Sequence, residues 1–202
     1  MKASSFWEIG GFLAGGVLIL FGIVAIFLGV NGFTTTRDSI KDENIFFSTQ
    51  EDGDAATDEY ASAWYGEQVK TGEQARAFAN IMREHQLERT AGLTYAEMGR
   101  FQSAADPADP KGTSDEEAAA KDETGAPISN GARQSWVTAV AITTALNMSY
   151  MAEQLSIFGL VVGFALLLTG VGLVIVALAV FGKRAQAPEE AVARAGATPV
   201  TS

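Results

Sequence analysis

The amino-acid sequence predicts an all-α membrane protein: an antiparallel two-helix transmembrane hairpin carrying a small helical extracytoplasmic domain. Three observations carry that expectation. Two long apolar blocks hold no charged side chain, an acidic stretch separates them, and the apolar residues of that stretch recur at helical spacing. A 48% hydrophobic content beside a net charge of −10 requires the two properties to be segregated along the 202 residues.

The first block is Gly10 to Val30 and the second Ser156 to Gly182. At the helical rise they extend roughly 31 Å and about 40 Å, against a hydrocarbon core of roughly 30 Å. Residues 10–30 and 156–182 are therefore expected to span a bilayer, the longer one by tilting or by continuing beyond the lipid. Lys2 gives the first block a signal-like start, but its apolar run exceeds a signal peptide's, and no small-x-small site follows Val30. It reads as an uncleaved anchor.

Orientation follows from Lys183 and Arg184, which close the second block, with Glu153 and Gln154 at its other end. Residues 1–9 and 183–202 are then expected in the cytoplasm of a plasma membrane protein, the latter as a disordered tail. Residues 31–155 form the extracytoplasmic domain. The absence of cysteine excludes disulfides and thiolate metal sites, and a pI near 4.5 argues against nucleic acid and anionic lipid headgroups as partners. The expected partners are the lipid bilayer, through the two apolar blocks, and other membrane or envelope proteins or a second copy of the chain.

Within the domain, the first helix is expected to run on through Thr36–Glu43, and Ile45, Phe46 and Phe47 form an apolar step, strand or staple. Tyr60, Trp64 and Tyr65 make an aromatic cluster, a small core or a ligand-stacking surface. Thr71 and Gln74 fit a capping box opening a helix over Gly72–Arg89, whose apolar face is Ala75, Phe78, Ala79 and Met82. Thr94 and Glu97 repeat the spacing and predict a second, shorter helix towards Phe101. Residues 105–131, rich in Pro, Gly and acidic side chains, read as a flexible loop. Val137, Val140, Ala141, Thr144, Met148, Met151 and Leu155 then lie on one face of a helix entering the second span, a post on which the capped helices are expected to pack.

Both spans carry small residues at alternating four- and three-residue steps: Gly11, Gly15, Gly22 and Gly29 in the first, Gly159, Gly163, Gly170 and Ala177 in the second. Little hydrophobic force draws helices together in lipid, so close backbone approach across such a face is the expected packing seam, within the chain or with a second copy.

Chemistry is sparse. His85 is the one histidine and lies on the apolar face of its helix; no phosphate loop, serine elbow or HExxH string occurs. No catalytic residue, metal or cofactor is expected. Tyr60, Trp64, Tyr65, His85, Tyr95 and Trp136 are the candidate ligand or partner contacts.

The strings EQARAFANIMREH (73–85), AGLTYAEMGRF (91–101) and ITTALNMSYMAEQLSIFGLVVGFALLLTG (142–170) resemble a family of two-span membrane proteins frequent in actinobacteria. The resemblance covers about residues 31–181 and places His85, Gly92, Thr94 and Tyr95 on shared positions. Some members are labelled aromatic ring-opening dioxygenases, whose histidine and carboxylate iron ligands this chain lacks. The resemblance implies a cell-envelope setting with the domain facing the wall. Function is expected to be non-catalytic, an accessory, scaffold or assembly subunit; the alternative is a ligand- or ion-sensing module whose output lies on another protein.

Overall fold

The computed structural model describes the backbone over residues 3–195 and the side chains over residues 10–179. Among these residues the fold is all-helical. Helix α1 spans Ala3–Asp42, α2 Ala55–Ala61, α3 Gly72–Arg89 and α4 Gly131–Ala195, with one 3-10 turn at Gln50–Asp52. Two segments are long and apolar enough to cross a membrane, Gly10–Asp42 and Gly131–Ala179. The chain forms two compact units: Met1–Asn31 with Leu155–Ser202, and Gly32–Gln154.

In the first unit, α1 meets α4 along the glycines. A Cβ at Gly15 would lie 2.8 Å from the Gly170 carbonyl oxygen, one at Gly22 2.7 Å from the Leu167 nitrogen, and one at Gly163 2.8 Å from the Ile26 nitrogen. No side chain fits there, which is why glycine recurs. Gly29 is tight as well, a Cβ there lying 2.9 Å from the Leu160 side chain and 3.0 Å from its nitrogen, whereas one at Gly11 would meet Ala177 at 3.6 Å and one at Gly159 would meet Gly29 at 3.8 Å. Gly10, Gly16 and Gly172 face open space, and Leu13, Phe21, Phe27, Phe158, Val161 and Leu168 are exposed around the pair.

The second unit packs by side chains instead. Phe47 is the centre, stacked on Trp64 at 5.8 Å and edge-on to Phe78 at 5.9 Å, with Val69, Ala75, Ala79, Ile81, Ile40 and Leu146 buried around it. The Ile45–Phe47 step pairs with 67–69, Phe47 N–H donating to the Glu67 carbonyl and Val69 N–H to that of Ile45. Asn44 stops α1 by entering the left-handed region at φ 51°, which asparagine tolerates.

Glu153 ties three helices together. It is 5% exposed, accepts from Arg37 Nε at 3.1 Å and Nη2 at 2.7 Å, and accepts the Gly72 N–H at the start of α3. Arg37 lies over the Phe33 ring at 4.2 Å. Gly72 must be glycine, because a Cβ would sit 2.8 Å from the Tyr150 Cα.

Several expectations need correction. The polar, glycine-containing residues 50–57, to which the sequence assigns no element, contain the 3-10 turn and the start of α2. Thr94 and Glu97 make half of the expected capping box, Thr94 N–H and Oγ1 donating to Glu97 Oε2 at 2.8 and 2.7 Å, while the Glu97 N–H donates to the Thr94 carbonyl and only a turn follows. Met98 is buried there and Gly99 presses on the Thr113 backbone, so the chain leaves helical geometry.

The stretch 105–131, expected as a flexible loop, is bound into a hydrogen-bonded network. Phe101 and Thr113 exchange backbone bonds at 2.9 Å each, while Gln102, Ala120 and Ile128 form a second set. Buried Asn130 fastens it, donating to the Gly99 and Pro110 carbonyls at 3.1 and 2.9 Å and accepting the Ala132 N–H at the start of α4. Helix α4 continues through residues 183–195, which the sequence reads as tail; residues 196–202, and the side chains of Lys183 and Arg184, lie outside the description.

Candidate functional site

His85 sits on α3 with Nε2 2.9 Å from Asp54 Oδ1. Asp54 also caps α2 through the Ala56 N–H at 3.1 Å and accepts the Thr57 hydroxyl at 2.6 Å and that of Ser48 at 3.2 Å. Burial alone would raise the Asp54 pKa; the bonds from Thr57, His85 and Ala56 and the histidine's charge outweigh it and hold it at about 2. An ionised Asp54 only accepts, so His85 Nε2 carries the proton.

Beside this pair, α3 and α4 enclose an open cleft of about 310 Å³ lined by Met82, His85, Gln86, Arg89, Ser135, Thr138, Ala139 and Ile142. Its lining combines apolar Met82, Ala139 and Ile142 with polar Gln86, Ser135 and Thr138 and with a guanidinium and an imidazole four residues apart. The serine is not poised as a nucleophile: Ser135 accepts from Gln86 Nε2 at 2.9 Å and donates to the Ala132 carbonyl at 2.8 Å, while His85 is committed to Asp54. Among the described residues no three or more His, Cys, Asp or Glu side chains gather as for a metal ion.

The other candidate residues fall in separate places. Tyr60 and Trp64 pack against the core around Phe47, and the Tyr65 hydroxyl donates to Asp58. Tyr95 lies under Arg133, the guanidinium 3.8 Å from the ring centroid, and shares an open apolar groove with Trp136, Val137 and Val140.

The helical stripe on α4 was expected to carry the packed helices, and the structure turns it outward. Val137, Val140, Met148 and Met151 are 45, 43, 56 and 60% exposed. Helix α4 packs in the second unit through a different face, with Trp136, Leu146 and Glu153 buried and Ala139, Thr143 and Tyr150 half-buried. Sequence spacing alone cannot separate the two faces, since both alternate by three and four residues. The signal that would have found the inner one is Glu153, the one charge between Arg133 and Lys183.

Compared with protein-family models, curated proteins and solved structures, the chain matches none.

Proposed function

We propose that this chain is a two-span plasma membrane protein whose glycine-packed hairpin anchors residues 32–154 outside the cytoplasm, both termini lying inside. It serves there as a non-catalytic accessory, scaffold or assembly subunit of a cell-envelope complex, in keeping with the resemblance to the actinobacterial two-span family. The observation that carries the binding role is the outward apolar face of α4, Val137 to Met151, in a unit holding 21 of the chain's 24 acidic residues. Exposed apolar surface of that extent marks a contact with another molecule. The exposed phenylalanines and leucines around the glycine seam support lipid as the solvent of the first unit.

The test is purification from the native membrane in mild detergent, with mass spectrometry of whatever co-migrates on a native gel. A reproducible partner protein at fixed stoichiometry is expected; recovery of this chain alone, as monomer or homodimer, overturns the accessory reading.

The cleft beside His85 and Arg89 favours a second reading, an outer module that senses a small ligand or ion and passes its output to another protein. A ligand screened by thermal shift should then lose its effect in Arg89→Ala.

A further inference from the structure

We infer that the cleft between α3 and α4 binds a single-chain aliphatic monocarboxylate, its head at Arg89 and its tail along α4. The inference rests on the sensing reading of that cleft given above and names its ligand.

The head follows from charge. Residues 32–154 hold 21 of the chain's 24 acidic side chains, yet none of the eight residues lining the cleft is acidic. Arg37 pairs with Glu153, and Arg76, Arg83, Arg100 and Arg133 lie over the rings of Tyr150, Trp136, Phe101 and Tyr95. Among the described residues Arg89 is the one arginine with neither an ion pair nor a ring beneath it, and it lines the cleft. A guanidinium grips a carboxylate through two parallel N–H donors, and the Thr138 hydroxyl on the α4 wall supplies a third. His85 is turned to Asp54, whose carboxylate balances it. One unpaired cation matches the single charge of a carboxylate better than the near-double charge of a phosphate monoester.

The tail follows from shape. A second open cavity of about 250 Å³ has Ile40, Ile45, Ala145 and Leu146 in its wall, and Ile142 lines both. Ser135, Ala139, Ile142, Leu146 and Ser149 step along α4 by four, three, four and three residues, so one helical face runs through both cavities for roughly 21 Å. An unbranched chain can follow that face over the apolar side chains. Glu43, the one carboxylate on the second cavity's wall, repels a second anionic end and so favours a ligand charged at one terminus only.

The full chain in phosphatidylcholine nanodiscs, titrated calorimetrically with empty discs subtracted, tests this with hexanoate, octanoate and decanoate. Each added CH₂ should tighten binding about two- to fourfold, the upper value for full burial. Decanol and decanedioate should bind about tenfold more weakly than decanoate. Arg89→Gln, an exposed change, should bring decanoate down to the level of decanol. The chain has no cysteine, so Ile142→Cys can be capped with N-ethylmaleimide, which should block decanoate, while the same cap on exposed Ser114→Cys should not. Decanol binding as tightly as decanoate, affinity independent of chain length, or tighter binding of decyl phosphate overturns the inference. Thermal stabilisation by sulfate that Arg89→Gln abolishes, with none by decanoate, overturns it and leaves the sensing reading standing. No Arg89-dependent binding of any of these probes overturns both.

Discussion

The two units are held by opposite means. In the first, α1 and α4 touch backbone to backbone, because Gly15, Gly22, Gly163 and Gly170 leave no room for a single carbon between them. In the second, the same two helices are tied by side chains, through buried Glu153 and its bonds to Arg37 and the Gly72 amide, and the chain between them fills the core around Phe47. Where lipid is the solvent, apolar burial gives helices little reason to associate, and contact distance must do it. In water the aromatic core does the work, and a buried charge has to be fully paired.

The contrast is broken most sharply at Glu153. Replacing it by alanine leaves Arg37 and the α3 amide without their acceptor, and should cost the second unit about 3 kcal/mol, the lower end for a broken buried pair, because the Arg37 side chain is 37% exposed. Unfolding followed through Trp64 and Trp136 fluorescence measures it. In the seam, Gly163→Ala forces the two backbones apart and should cost about 1–3 kcal/mol, while Gly11→Ala, whose Cβ finds a 3.6 Å contact, should be close to neutral. Denaturation by dodecyl sulfate, read by circular dichroism, compares the pair; equal effects would contradict the seam.

Asn130→Ala removes the cap of α4 and two bonds to the 99–130 network, for about 1–2 kcal/mol. Amide exchange should accelerate at Gly99, Phe101 and Thr113 while α3 stays protected. The smallest effect is on acid stability. The Asp54 pKa is depressed to about 2, so its contribution is fully present above the ordinary carboxylate value near 3.8 and is lost as pH falls from there towards about 2. Asp54→Asn should remove on the order of 1 kcal/mol of that acid-dependent loss, measured as midpoint against pH.

Much of the helical plan was legible in the sequence. The apolar blocks declare themselves by composition, and helix Gly72–Arg89 by its cap and by Ala75 and Ala79, both buried. The glycine spacing could be read because a residue with no side chain on one helical face has a single steric meaning. What escaped has equally physical causes. Glu97 does reach back to the Thr94 N–H, but that bond cannot propagate a helix where Met98 is drawn inward and Gly99 must pass the Thr113 backbone. The acidic stretch looked mobile because its order comes from backbone bonds, which composition does not record. Glu153 looked like a marker at the end of a span, when its partners are 116 and 81 residues away along the chain.

The membrane placement on which the functional account depends can be tested directly in the same cysteine-free background. Single cysteines at Ser114 and at Thr201 are treated in intact cells with a thiol reagent that cannot cross the membrane, then again after permeabilisation. The account predicts labelling of Ser114→Cys in intact cells and of Thr201→Cys only once the membrane is opened. Labelling of both from outside, or of neither, would contradict a two-span protein with residues 32–154 outside and both ends within.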